Sequence, residues 1–178
     1  MKLKILGICG SATKGSSNEL LLQYIKEHYS DVFELSIINN LETLPHFQTE
    51  LTAEGTPESI SYFRKQLAAA DGIIISSPEY VFSIPSRLKN ALEWCVSTTI
   101  LTDMPTAIIT ASASGMKGHE ELQLIMKTLQ AHITPETSLL IQGIKGKISP
   151  EGHLTDELMT QLDPVIREFR AICILAIK

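Results

Sequence analysis

The sequence has no long hydrophobic run: none approaches the ~18 residues a bilayer-crossing helix needs, so no membrane span is expected. It also lacks a basic excess. With 15 Lys and Arg against 20 Asp and Glu, the net charge is −5 and the pI about 5.5. Non-specific nucleic-acid binding needs a basic face to neutralise phosphates, so a nucleic-acid partner is not expected. Cysteine is scarce: Cys9, Cys95 and Cys173 stand singly in apolar stretches, and no C-x-x-C pair occurs. That usage fits free thiols in a reducing compartment and a cytoplasmic protein. His28, His46, His132 and His153 show no metal-ligand spacing with the cysteines, so no metal is expected. The opening Met-Lys-Leu-Lys runs apolar only to Cys9 and shows no small-residue cleavage pattern, so no signal peptide is expected. There is no internal repeat, low-complexity tract or linker, and 178 residues suit one domain spanning 1–178.

What is present alternates regularly. Leu3–Cys9 is short, apolar and β-branched, and ends in a Gly-Ser turn, as a buried parallel strand does. Residues 18–29 place Leu21, Leu22 and Ile25 on one helical face. Residues 32–38 read as a weaker strand, interrupted by Glu34 and Ser36, suited to a half-exposed edge. Residues 39–55 form a long connection around Pro45 with no clear period, the kind that is usually functional or a lid. Thr56-Pro57 reads as an N-cap followed by Pro at the first helical position, and the helix continues over 59–70.

Residues 72–77 are the clearest buried strand, ending at Pro78. Pro85 opens a helix through Leu88, Leu92 and Val96. Strands are expected over 106–110 and 137–141, separated by a helix carrying Leu122, Ile125, Met126 and Leu129. The tail from Leu158 to Cys173 is helical in period, and Pro164 inside it should kink or split the helix. Five apolar strands alternating with helices predict an α/β fold, a three-layer α/β/α sandwich of flavodoxin-like type. Its five-stranded parallel sheet would have the order 2-1-3-4-5.

In such a sheet ligands bind beyond the carboxyl ends of the strands, where the winding reverses. The loop after the first strand, Gly10-Ser-Ala-Thr-Lys-Gly-Ser-Ser-Asn18, runs into a helix N-terminus. Its hydroxyls, backbone N–H groups and helix dipole suit a monophosphate. Gly10 and Gly15 have P-loop spacing, but Ser16 stands where the essential lysine must be, and G-x-G-x-x-G is absent. ATP, GTP and dinucleotide fingerprints are thereby set aside, though helix capping alone remains an alternative for this loop. The loop after the third strand, Ser77 to Ser86, holds Tyr80 and Phe82 between two prolines and could border a flat ring or pack a loop or subunit contact. A third loop, Ala111–Gly118, could approach a ligand by its backbone or simply connect. His119 follows it and could face the site, or be a solvated or capping residue, and Trp94 reads as core or interface.

At these three loops the chain resembles the NADPH-dependent FMN reductase family, the flavodoxin-like group that includes chromate, quinone and azo-dye reductases. Gly10 to Asn18 resembles G-S-x-R-x-x-S-x-N. Pro78-Glu79-Tyr80-Val81-Phe82-Ser83-Ile84-Pro85 and the following Leu88-Lys89-Asn90-Ala91-Leu92-Glu93-Trp94 resemble P-E-Y-N-x-S-x-P-x-x-L-K-N-A-x-D/E-W. Ser112 to Gly118 resembles S-x-x-G-x-x-G. The resemblance implies FMN, with NADPH or NADH as reductant and a small-molecule electron acceptor. It implies phosphate contacts from Ser11, Thr13, Ser16, Ser17 and Asn18. Pro78, Glu79, Tyr80, Val81 and Ser83 would line the isoalloxazine, partly by backbone, and Ser112 and Gly115 would close the other side. It implies hydride transfer through the flavin with no catalytic acid or base, and a homodimer or homotetramer. Two positions depart: Thr13 replaces the usual arginine, with Lys14 beside it as a partial substitute, and Val81 replaces the usual asparagine. A non-enzymatic electron carrier or redox-responsive FMN-binding module is the alternative, and a scaffold that has lost FMN a further one.

Overall fold

In the computed structural model, which describes residues 2–52, 55–149 and 151–177, the five apolar segments pair as one parallel sheet. The strands are β1 (Leu3–Cys9), β2 (Phe33–Ile38), β3 (Gly72–Ser77), β4 (Thr106–Ser112) and β5 (Ser138–Gln142), in the order β2-β1-β3-β4-β5. The helices are α1 (Ser17–His28), α2 (Glu58–Ala68), α3 (Ser86–Glu93), α4 (Met116–Thr128) and α5 (Asp156–Ala176).

Strand side chains alternate between the faces of the sheet, so each central strand feeds two cores. Ile5, Ile74, Ala107 and Ile109 pack under α1 and α5 with Leu21, Ile25, Leu162 and Phe169. Leu6, Ile8, Ile73, Ile75 and Ile108 pack under α2, α3 and α4 with Phe63, Leu67, Leu88, Leu92, Leu122 and Met126. Ile73, Ile74 and Ile75 are entirely buried, and each contributes about 1.5–3 kcal/mol by leaving water. β2, at the sheet edge, alternates buried and exposed residues, with Glu34 and Ser36 outward.

Four expectations are corrected. Pro57 is itself the N-cap of α2, without a side-chain cap bond, because the Thr56 hydroxyl turns away to donate to the Leu51 carbonyl at 2.8 Å. α3 ends at Glu93 rather than at Val96, which is exposed; Arg64 reaches across to donate to the carbonyl of Trp94, the C-cap. The third loop is shorter than 111–118, because β4 runs on to Ser112 and α4 starts at Met116, which places Gly118 inside a helix. Pro164 neither splits nor ends α5, which is assigned as helix throughout Asp156–Ala176. Pro164 and Thr160, whose carbonyl loses its partner, both lie on the exposed side, where water can satisfy that carbonyl.

The long connection after β2 includes residues 53–54, which lie outside the described ones. Its earlier part is fastened rather than free. The Pro45 carbonyl accepts from Asn90 Nδ2 at 3.0 Å and from Trp94 Nε1 at 2.8 Å, and Asn90 Oδ1 accepts from the Phe47 N–H at 2.8 Å. Trp94 is fully buried, edge-on to Phe47 with ring centroids 5.3 Å apart, and is a core residue.

Candidate functional site

The loop leaving β1 is held tightly against β3. Gly10 N–H donates to the Ser76 carbonyl at 2.8 Å, and a Cβ on Gly10 would lie only 2.5 Å from Ser77 Oγ, so only glycine fits. Ser11 Oγ accepts from the Thr13 N–H and lies 3.3 Å from Tyr80 Oη, joining the first loop to the second. Ser16 caps α1, its hydroxyl accepting from the Glu19 N–H at 3.2 Å. The remaining first-turn N–H groups have no intrahelical acceptor and give the loop its donor character. Glu19 returns along the loop: its carboxylate accepts from the Gly15 N–H at 2.8 Å and from Asn39 Nδ2 at 2.6 Å.

Asn18 does something the sequence did not disclose. Its side chain is buried, donates from Nδ2 to the Ala111 carbonyl at 3.0 Å and accepts from Ser76 Oγ at 3.0 Å. The side chain thus ties α1 to the ends of β3 and β4.

The second loop is fastened to α4 at two points. Glu79 Oε2 accepts from the Gly118 N–H at 2.9 Å, and Glu121 Oε2 accepts from Ser83 Oγ at 2.6 Å and from the Ile84 N–H at 3.0 Å. Between these points Tyr80 and Ser83 exchange backbone bonds across a tight turn whose tip residues, Val81 and Phe82, both have positive φ, 53° and 58°. Such a turn favours Asn or Gly, and a β-branched residue is strained there. Both tip side chains are exposed, Val81 at 95% and Phe82 at 77%.

Together the loops enclose a cavity of about 600 Å³. Ser11, Thr13, Ser16, Ser17 and Asn18 line it, as do Pro78, Glu79, Tyr80 and Ser112. Val81, Ser83 and Gly115 are not among its lining residues. Val81 forms the exposed turn tip, Ser83 is engaged by Glu121, and Gly115 bends the backbone into α4 with φ 86°. Gly15, Ala111 and Ala113, within the first and third loops, line it too; sequence reasoning missed a whole wall made by Gly143, Ile144 and Lys145 after β5. That β5, like every parallel strand, ends on this side was the one signal that could have found it. Lys14 does not line this cavity. It borders an adjoining one of about 220 Å³ with Arg87, Asn39 and Glu42, and Ser11 and Thr13 line both.

Among the lining residues the ionisable side chains are Glu79, Tyr80 and Lys145; there is no histidine, and no cysteine. Cys9 lies just behind, buried, its thiol pushed up by desolvation and held in check by Ser11 and Ser16. His119 turns back onto the sheet, with Nδ1 2.8 Å from Thr110 Oγ1 and Nε2 2.9 Å from Gln123 Nε2, and burial pushes its pKa down. Among the described residues no group of three or more His, Cys, Asp or Glu is placed to hold a metal ion, and no helix is long and apolar enough to cross a membrane.

The donors fit a phosphate, and the Pro78–Tyr80 wall fits a flat ring. An open sheet of this order with a hydroxyl-rich first loop is the architecture of flavodoxin-like flavoproteins. The family model described as NADPH-dependent FMN reductase matches residues 3–145. The chain belongs to that family of FMN- and NAD(P)H-using oxidoreductases. It is 32% identical over 94% of its length to the NADH:(hydroxy)cinnamate reductase subunit CrdA of Vibrio ruber, covering 85% of that protein. It is 31% identical over 87% of its length to the NAD(P)H:quinone oxidoreductase of Solanum tuberosum, covering 84% of it. Its fold is similar to that of the flavoenzyme NAD(P)H:(acceptor) oxidoreductase FerB from Paracoccus denitrificans, with a TM-score of 0.83, 21% identity, and 96% and 97% of the two chains covered.

Proposed function

We propose that residues 1–178 form one FMN-binding domain that reduces a small acceptor, such as a quinone, an azo compound, a metal oxyanion or free flavin, at the expense of NAD(P)H. The observation that carries this is the single cavity shared by a hydroxyl-rich helix N-terminus and the Pro78–Tyr80 wall. FMN held there would supply the redox chemistry, with N5 as the site of hydride exchange between NAD(P)H and the acceptor.

This chain's own residues hold and orient. The hydroxyls of Ser11, Thr13, Ser16 and Ser17 and the backbone of Asn18 would take the phosphate; the Asn18 side chain is already committed. Pro78, Glu79 and Tyr80 would flank the ring on one side and Ser112 on the other. Val81 and Ser83 would act through the turn, and Gly115 through its bend. In this reading none of the ionisable groups among the described lining residues, Glu79, Tyr80 and Lys145, acts as a general acid or base. Exposed apolar side chains at Val81, Phe82, Met116 and Leu124 support assembly as a homodimer or homotetramer, and the buried free thiols support a reducing, cytoplasmic setting.

The test is an absorbance spectrum of protein incubated with FMN and desalted, then mixed anaerobically with NADPH. Retained yellow colour that bleaches within the turnover time is expected. Colour that stays unbleached would favour the electron carrier; no retained colour would remove the cofactor assignment.

A further inference from the structure

We infer that Lys145, from the wall after β5, supplies a positive charge to the FMN phosphate from within the main cavity. The inference rests on the FMN reading above.

None of the first-loop residues that line the main cavity is a cation. Thr13 holds the position of the family's usual arginine, and Lys14 lines not the main cavity but the adjoining one, which Ser11 and Thr13 also border. The Glu19 carboxylate adds a negative charge at the loop itself, bonded to the Gly15 N–H at 2.8 Å. Hydroxyls and a helix N-terminus offset part of a phosphate's charge, but in a partly dried cavity a further cation stabilises it strongly.

Of the charged lining residues, Glu79 is acidic and tied to Gly118, so Lys145 is the cation at hand. Among the described residues no carboxylate lies within 4 Å of its ammonium, whereas nearby Lys147 is held by Glu157 at 2.7 Å. Its segment is anchored at the correct end of the sheet. Gly143 N–H donates to the Ala113 carbonyl at 3.1 Å, and Ile144 is buried, so the following residue is presented from a fixed point. Ile144 enters the same core cluster as Leu21, Leu22 and Ile25 of α1. Lys145 thus stands on the same side of the sheet as the α1 N-terminus, and four flexible side-chain carbons give its ammonium reach.

Riboflavin, which is FMN without its phosphate, separates this role from any other. Dissociation constants for both flavins are measured by quenching of flavin fluorescence, in wild type and Lys145→Gln. Lys145 is exposed, so the variant folds. The expected result is a loss of about tenfold in FMN affinity with riboflavin unchanged, and a shallower salt dependence of FMN binding. Equal losses for both flavins, or no loss for either, would overturn the proposal while leaving the FMN site in place. Wild type that binds neither flavin would instead remove the FMN reading, and this proposal with it.

Discussion

The side-chain amide of Asn18 donates to the backbone carbonyl of Ala111 at 3.0 Å, and both ends of that bond are buried. The same side chain accepts the Ser76 hydroxyl at 3.0 Å, so one residue closes the gap between α1, β3 and β4 directly below the cavity. Asn18→Ala leaves a buried carbonyl and a buried hydroxyl unpaired. A loss of about 2–4 kcal/mol in chemical denaturation is expected. Native-like stability in that variant would show that water replaces the amide.

Gly10→Ala places a methyl 2.5 Å from Ser77 Oγ and 2.9 Å from Leu88 Cδ2. Neither neighbour has room to yield inside a packed core, so a loss of about 1–3 kcal/mol is expected from the same measurement. The effect reaches function too, because Gly10 sets where the first loop leaves the sheet.

Val81→Asn works in the opposite direction. The valine sits at φ 53° and is 95% exposed, so replacing it removes backbone strain and no packing. A gain of about 1 kcal/mol is expected, seen as a rise of about 2–4 °C in Tm. An unchanged Tm would mean that the turn relaxes without cost.

Acid should loosen α4. Burial holds the His119 pKa below its ordinary 6.5, with Glu120 opposing, while Thr110, Gln123 and Ser138 face the ring. The unfolded chain therefore takes the proton first. The stability due to neutral His119 is complete above pH 6.5 and declines as pH falls through the lower folded value. Urea midpoints of wild type should fall more steeply below that pH than those of His119→Gln, and the two curves should run parallel above it.

The thiols should be silent at neutral pH. Desolvation pushes both Cys95 and Cys173 from 9.0 up to about 12, so each stays protonated in the fold. Their contribution is intact below pH 9.0 and is lost as pH rises toward 12. A chromogenic disulfide reagent should react with all three cysteines only after denaturant is added; fast reaction of native protein at neutral pH would contradict this burial.

The strands were legible because each is a short β-branched run, Ile73 to Ile75 most clearly, closed by Gly, Ser or Pro. The first two cavity walls were legible for a related reason. Five small polar residues around a helix start exceed what one cap requires, and aromatics between two prolines at a strand end mark a rigid, apolar rim. Lys145 was not legible, because Gly143-Ile144-Lys145 carries no local signature and owes its place to β5 ending beside β4. The inward turn of Asn18 was hidden likewise, since a helix-start asparagine reads as a cap until its buried partners, 58 and 93 residues away, are known. That Pro164 would not split the helix was hidden because its effect depends on which side of the helix it occupies, and that is a tertiary property.

Glu79 and Glu121 bind the second loop to α4 from both ends of its turn. Ordering that loop is therefore a cost met during folding, not during each encounter with a ligand. Binding then consists mainly of drying a surface whose shape already exists, and its heat should report desolvation with little conformational entropy lost by the chain. An enzyme arranged in this way can exchange reactants rapidly through one opening without remaking its walls each time.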